Sequence, residues 1–177
     1  GDDFDLGPAK IDPQPQALVE RLAALYGTRP DQVLVTRGSD EGIDLLTRVF
    51  CRAGRDAVLI CPPTFGMYRI AAQSQGAAIV SLPRAPANGF RLDGPALLAA
   101  LRADSRIKLV FLTSPNNPSG DGIGRELLLE ILRQARDRAV VVMDEAYAEF
   151  CGLPSSAALI DEHENLAVLR TLSKAWA

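Results

Sequence analysis

The chain has 177 residues, of which 47% are hydrophobic and 23% charged, and its formal net charge is −3. That balance suits a folded domain with a full-sized core and excludes a disordered or collagen-like chain. A mildly acidic surface leaves no electrostatic footprint for nucleic acid or an anionic membrane, and no apolar stretch reaches the roughly 20 residues needed to cross a bilayer. The opening residues carry no signal-peptide pattern. Cys51, Cys61 and Cys151 are odd in number and far apart, so they fit neither a disulfide framework nor a zinc ribbon. A reducing, cytoplasmic setting is the expectation.

In chain order, the proline-rich stretch 8–15 reads as an extended arm, with residues 1–13 standing outside the main domain. The spacing predicts a helix over 14–26, with Ala17, Leu18, Leu22 and Leu25 on one face and Gly27 as its stop. A short strand at 33–35 is followed by a helix over 39–50, with Ile43, Leu46, Val49 and Phe50 on one side. Strands are predicted at 58–60 and 78–80, with a helix over 68–75 between them. Residues 83–89, rich in proline and ending Asn88-Gly89, read as a surface loop. Asp93 is placed to cap the helix that runs to Arg102. The runs 107–112 and 139–143 are almost wholly apolar, as strands covered on both faces are, and a helix over 125–136 joins them. A last strand falls at 166–169. Helical crossovers between apolar strands imply a mostly parallel α/β sheet with helices on both faces, whose ligands sit beyond the carboxyl ends of the strands.

Four polar clusters fall at those ends. Thr36-Arg37-Gly38-Ser39-Asp40-Glu41 offers a glycine turn and a helix start, suited to a phosphate and equally to an ordinary cap at Ser39. Ser114-Pro115-Asn116-Asn117-Pro118-Ser119-Gly120 is either a simple turn or a stiff loop fixing an amide at the sheet edge through a cis X-Pro bond. Asp144-Glu145-Ala146-Tyr147 puts a carboxylate at the end of a buried strand, where it should meet a cation, a metal or a protonated heterocycle. A magnesium–nucleotide site is disfavoured, because the chain has no G-x-x-x-x-G-K-[ST] loop and Gly120, Gly122 and Gly124 do not form G-x-G-x-x-G. Leu169-Arg170-Thr171-Leu172-Ser173-Lys174-Ala175-Trp176 ends in a lysine beside a hydroxyl. It is a surface residue or, if desolvated in a cleft, a nucleophile toward a carbonyl. Only three of the 19 cationic residues are lysines, Lys10, Lys108 and Lys174, and lysine alone can lose its proton near neutral pH. The single histidine, His163, lies in a charged run and reads as a solvated loop residue, so no metal site is expected.

Taken together and in this order, these clusters, with Pro62-Pro63-Thr64-Phe65-Gly66-Met67-Tyr68, resemble the fold-type I pyridoxal-phosphate aminotransferases, and among them the histidinol-phosphate type. The resemblance runs from about Gln14 to the end of the chain and implies that residues 14–177 form part of the cofactor-binding large domain. It implies that Lys174 forms the Schiff base with the cofactor aldehyde and then serves as general acid and base. Asp144 would pair with the pyridine N–H, and Tyr147 and Asn117 would hydrogen-bond the phenolic oxygen. Phe65 would stack on the ring, where the family commonly has tyrosine. The backbone of Ser39 and Asp40, with the Ser173 hydroxyl, would hold the phosphate.

The resemblance further implies a homodimer acting on small amino-acid and keto-acid substrates, in histidine biosynthesis converting histidinol phosphate and 2-oxoglutarate to imidazole acetol phosphate and glutamate. Related enzymes carry an Arg-Tyr-Pro stretch where Lys10-Ile11-Asp12-Pro13 stands here. They also continue past the position of Lys174 into a small domain that grips the substrate carboxylate. The expectation is therefore a truncated large domain, incomplete at its carboxyl end. Two alternatives stand beside it: a related enzyme such as a threonine-phosphate decarboxylase, and a non-catalytic fragment that binds the cofactor or dimerises.

Overall fold

The computed structural model describes residues 14–176, so the arm at 1–13, Lys10 included, lies outside the described residues. The chain divides into two compact units, Gly1–Val35 and Thr36–Ala177.

In the first unit, α1 (Gln16–Tyr26) starts after Pro15 and ends at Gly27, whose φ of 67° is the left-handed conformation that glycine adopts without strain. The helix begins two residues later than its apolar pattern suggests because Pro15 is the extended cap and disfavours helical backbone at Gln14, whose side chain reaches Val35 instead. It accepts from the Val35 N–H at 2.7 Å and donates to the Val35 carbonyl at 3.1 Å. The same bonds explain why 33–35 is extended without being a strand: its terminal backbone groups meet an amide side chain and not a neighbouring ladder. The buried face of α1 is that of Val19 and Ala23, whereas Leu18 and Leu25 are exposed. Apolar residues run around most of this helix, so periodicity alone does not choose its inner face.

The second unit is one five-stranded sheet with all neighbours parallel. Its strands are β1 (Ala57–Ile60), β2 (Ala78–Ser81), β3 (Ile107–Thr113), β4 (Val140–Asp144) and β5 (Leu166–Leu169), in the order β2-β1-β3-β4-β5. Helices α2 (Ser39–Phe50) and α3 (Met67–Gln75) cover one face, and α4 (Gly94–Ala103) and α5 (Arg125–Ala135) the other. The period of two along the strands sorts the core. Val58, Ile60, Leu109, Phe111 and Val142 pack with Ile43 of α2 and Ala71 and Ala72 of α3. Leu59, Val110, Leu112, Val141 and Met143 pack with Leu97 and Leu101 of α4 and Leu128, Ile131 and Leu132 of α5. Asp93 caps α4 as expected, accepting from the Ala96 N–H at 2.9 Å.

Helix α2 differs from expectation in two ways. Its cap is Gly38, with φ 79° and no side-chain bond, so Ser39 is the first helical residue. Its buried face is Gly42, Ile43 and Thr47, while Val49 is 73% exposed and Phe50 is also exposed. Thr47 can face the core because its hydroxyl donates to the Ile43 carbonyl at 2.7 Å. The polar residue is satisfied locally, and the apolar pair is turned outward.

Candidate active site

The site follows from sheet register. Thr113 at the end of β3 lies beside Asp144 at the end of β4, and Asp144 lies beside Leu169 at the end of β5. The strand order reverses between β1 and β3, so the segments leaving those two strands part there and leave a crevice at their carboxyl ends. A cavity of about 240 Å³ occupies this edge. Ser39, Asp40, Phe65, Asn117, Asp144, Tyr147, Ser173 and Lys174 all line it, so every site residue expected from the sequence reaches one place.

Asp144 is 2% exposed. Its Oδ1 accepts from the Ala146 N–H at 3.0 Å and its Oδ2 from the Tyr68 hydroxyl at 2.6 Å. Among the described residues it has no ion-pair partner. Burial pushes its carboxyl above the ordinary carboxylate range, and the Tyr68 and Ala146 bonds work against that rise. A buried carboxyl shifted in this way, facing a cavity and lacking a counter-ion, is suited to a cationic or proton-bearing ligand group.

Tyr68 and Thr113 complete this arrangement and were not among the expected site residues. Tyr68 is fully buried, with its ring stacked on Phe111 at 4.6 Å and 6° and Phe65 edge-on to it at 5.7 Å. Its hydroxyl also lies 2.8 Å from Thr113 Oγ1, which in turn lies 3.0 Å from Thr64 Oγ1. A phenol has one proton, and here it goes to Asp144. Thr113 must then donate to Tyr68 and Thr64 to Thr113, a row of hydroxyls all aimed at the carboxylate. The sequence places Tyr68 at the start of a helix over 68–75 and gives it no role of its own. The signal available was that a tyrosine buried there needs a partner for its hydroxyl.

The open start of α2 lines the cavity through Gly38, Ser39 and Asp40. The first N–H groups of a helix have no intrahelical acceptor and carry the positive end of the dipole. Glu41 is occupied outside the cavity, accepting from the Arg37 backbone and guanidinium. The carboxyl loop of β3 has cis bonds at Ser114-Pro115 and Asn117-Pro118, as the proline pattern suggested, and it presents Asn117 to the cavity.

Lys174 differs from the desolvated amine considered in the sequence reading. It is exposed, with Nζ 5.4 Å from the centroid of the Tyr147 ring. The segment carrying it leaves β5, the last strand among the described residues, and Leu172, Ser173, Lys174, Ala175 and Trp176 are all exposed. Arg170 ties this segment down, donating to Glu145 at 3.0 Å and Glu149 at 2.6 Å. Glu145 is held further by the Ser155 hydroxyl and the Ser156 N–H, each at 2.6 Å. Among the described residues no group of three or more histidine, cysteine or acidic side chains is arranged to hold a metal ion. No described helix is long and apolar enough to cross a membrane.

A carboxylate, an amine and an open helix start thus meet at one edge of a doubly wound parallel sheet, an arrangement to set beside known families. Residues 10–177 match the family described as aminotransferase class I and II, and the chain belongs to that family. It is 52% identical over 167 residues to the histidinol-phosphate aminotransferase of Xanthomonas euvesicatoria pv. vesicatoria, covering 94% of this chain and 46% of that protein. It is 53% identical over 164 residues to the enzyme of the same name from Aeromonas hydrophila subsp. hydrophila, covering 93% and 45%. The crystal structure of histidinol-phosphate aminotransferase from Sinorhizobium meliloti in complex with pyridoxal-5'-phosphate superposes with a TM-score of 0.83 at 29% identity, covering 93% of this chain and 44% of that one. The chain thus spans about half the length of the curated relatives it matches.

Proposed function

We propose that this chain is the cofactor-binding part of a pyridoxal-phosphate-dependent aminotransferase of the histidinol-phosphate type. One observation carries the reading: a single cavity gathers a buried carboxyl without a counter-ion, the open start of α2 and the amine of Lys174. These groups fit a phosphorylated pyridine aldehyde, which needs an anion cradle, a partner for a ring N–H and an amine. The names of the relatives support histidinol phosphate as the amino donor, and the family resemblance adds 2-oxoglutarate as acceptor, with imidazole acetol phosphate and glutamate as products.

When bound, pyridoxal phosphate supplies a carbonyl that condenses with amines and a protonated ring that withdraws electrons from them. The residues divide the remaining work. The N–H groups of Ser39 and Asp40, with the Ser173 hydroxyl, hold the phosphate at the helix start. Asp144 would hold the proton on the ring nitrogen, and the Tyr68–Thr113–Thr64 row favours its ionised form. Asn117 and Tyr147 would hydrogen-bond the phenolic oxygen, and Phe65 would stack on the ring. Lys174 Nζ would be the group that carries the proton to and from the substrate α-carbon. The same reading makes the assembly a homodimer and the setting cytoplasmic.

The test is spectroscopic. Adding pyridoxal phosphate is expected to produce a visible absorbance band that Lys174→Ala abolishes. Glutamate or histidinol phosphate is then expected to bleach it. A wild-type chain with no lysine-dependent band refutes cofactor binding. A band that neither substrate alters refutes transamination by this chain and leaves binding alone.

A further inference from the structure

Arg84 stands in the stretch read from sequence as a surface loop, yet its side chain is 1% exposed. Nε donates to the Cys61 carbonyl at 3.1 Å, and Nη1 to the Phe90 carbonyl at 3.3 Å and to both Asp121 carboxylate oxygens at 2.8 Å. Asp121 also accepts from the Ser119 hydroxyl. Ser119 Oγ accepts from Asn116 Nδ2 at 2.7 Å, and the same nitrogen donates to the Pro63 carbonyl at 3.1 Å. Backbone bonds close the network: Arg84 N–H to Pro62 O at 2.6 Å, Asn116 N–H to Asp121 O at 2.8 Å, and Gly120 N–H to Asn116 O at 2.7 Å.

This network joins the segment leaving β1 to the segment leaving β3. The first runs into Phe65 and the second contains Asn117, and both of those line the cavity. Arg84, Asp121, Asn116 and Ser119 do not line it, so any effect they have on a ligand passes through Phe65 and Asn117. The network is poorly explained as a stability device. A buried ion pair does not repay its desolvation well, and an apolar pair of similar volume often does as well or better. Asn116 Oδ1 is buried within the network with no hydrogen-bond partner among the described residues, which adds a cost. Phe90 sits at φ 60°, a conformation unfavourable for a bulky residue, with its carbonyl on Arg84 and its N–H on Ala85 O. What a guanidinium supplies is several donors in one fixed plane, enough to meet acceptors from three segments at once.

We propose that Arg84 and Asp121 form a positioning pair that sets the Phe65 and Asn117 segments relative to each other and so tunes their contacts with whatever occupies the cavity. The consequence for a ligand rests on the pyridoxal-phosphate reading above. Two conservative variants test it. Asp121→Asn keeps the shape and removes the charge, and Arg84→Lys keeps the charge and removes the planar fork. Hydrogen exchange is read at the amides of Asn116 and Gly120, whose bonds lie inside the network, and at amides of the β3–β4 ladder. In both variants the loop amides are expected to exchange about tenfold faster, with the ladder unchanged to within about twofold. The dissociation constant for pyridoxal phosphate is expected to rise about fivefold or more through weakened Asn117 and Phe65 contacts. Unchanged loop amides overturn the proposal. So does a ladder that loosens with the loop, which is a general loss of stability, and so does a loosened loop that leaves affinity intact. If the wild-type chain shows no Lys174-dependent band, the cofactor reading has failed, and the exchange rates alone decide the pair.

Discussion

Replacing Tyr68 with phenylalanine removes one oxygen and leaves the ring. The stack on Phe111, at 4.6 Å and 6°, is preserved, so no cavity opens. Thr113 keeps the Thr64 hydroxyl at 3.0 Å. The loss falls on Asp144, which gives up its 2.6 Å donor and retains the Ala146 N–H. A hydrogen bond to a charged group contributes about 1.5–3 kcal/mol, and one to a neutral group about 1 kcal/mol. The phenol itself is pushed far up, first by burial and then by the Asp144 charge, so it remains a donor at every accessible pH. Asp144 is raised above its ordinary 3.8 by burial, and the Tyr68 bond is the largest influence opposing the rise. The folded cofactor-free protein therefore holds this proton more tightly than the unfolded chain. Its stability falls as pH climbs from the ordinary carboxylate value through the raised one. Phenylalanine moves the upper end of that window higher. The expected penalty is about 2 kcal/mol at pH 8 and about 1 kcal/mol at pH 4, because a larger share of the carboxylate is charged at the higher pH. Urea unfolding followed by circular dichroism at the two pH values, without cofactor, measures both. An equal penalty at both values, or one below about 0.5 kcal/mol at pH 8, refutes the reasoning.

Two further outcomes follow from burial. Leu132→Ala empties a fully buried position between α5 and the sheet. It is expected to cost about 2–5 kcal/mol in the same unfolding assay, and a cost near zero would mean that this face is not packed as described. Burial pushes the Cys51 and Cys61 thiols up to about 11. At pH 8 an aromatic disulfide reagent is expected to label the half-buried Cys151 and spare the other two. Labelling of Cys51 or Cys61 as fast as Cys151, read by mass spectrometry, would contradict their burial.

Much of the fold was legible because its signals are local. The apolar runs at 107–112 and 139–143 became β3 and β4 to within a residue at either end. The glycine at 27 and the aspartate at 93 act where they were read. Errors gathered where local pattern underdetermines the outcome. Helix α1 is apolar on more than one side, and α2 turns Thr47 inward in preference to Val49. The segment 33–35 has the composition of a strand but meets a glutamine side chain where a ladder would be needed.

By itself the sequence determined which chemistry-bearing groups end up at the strand ends, because a strand followed by a crossover helix leaves its next polar cluster at one edge of a parallel sheet. Phe65, Asn117, Asp144 and Lys174 share a cavity for that reason, and Ser39 joins them from the start of α2. What only the tertiary structure decided is how those groups are held. The Tyr68 hydroxyl reaches Asp144 across 76 residues of chain, and Arg84 reaches Asp121 across 37. Lys174 Nζ lies over the Tyr147 ring, where the pairing of β4 with β5 brings their two carboxyl segments side by side. Each depends on which strand pairs with which and in what register. No local periodicity carries that information, because the partners are chosen by packing between segments that are distant along the chain.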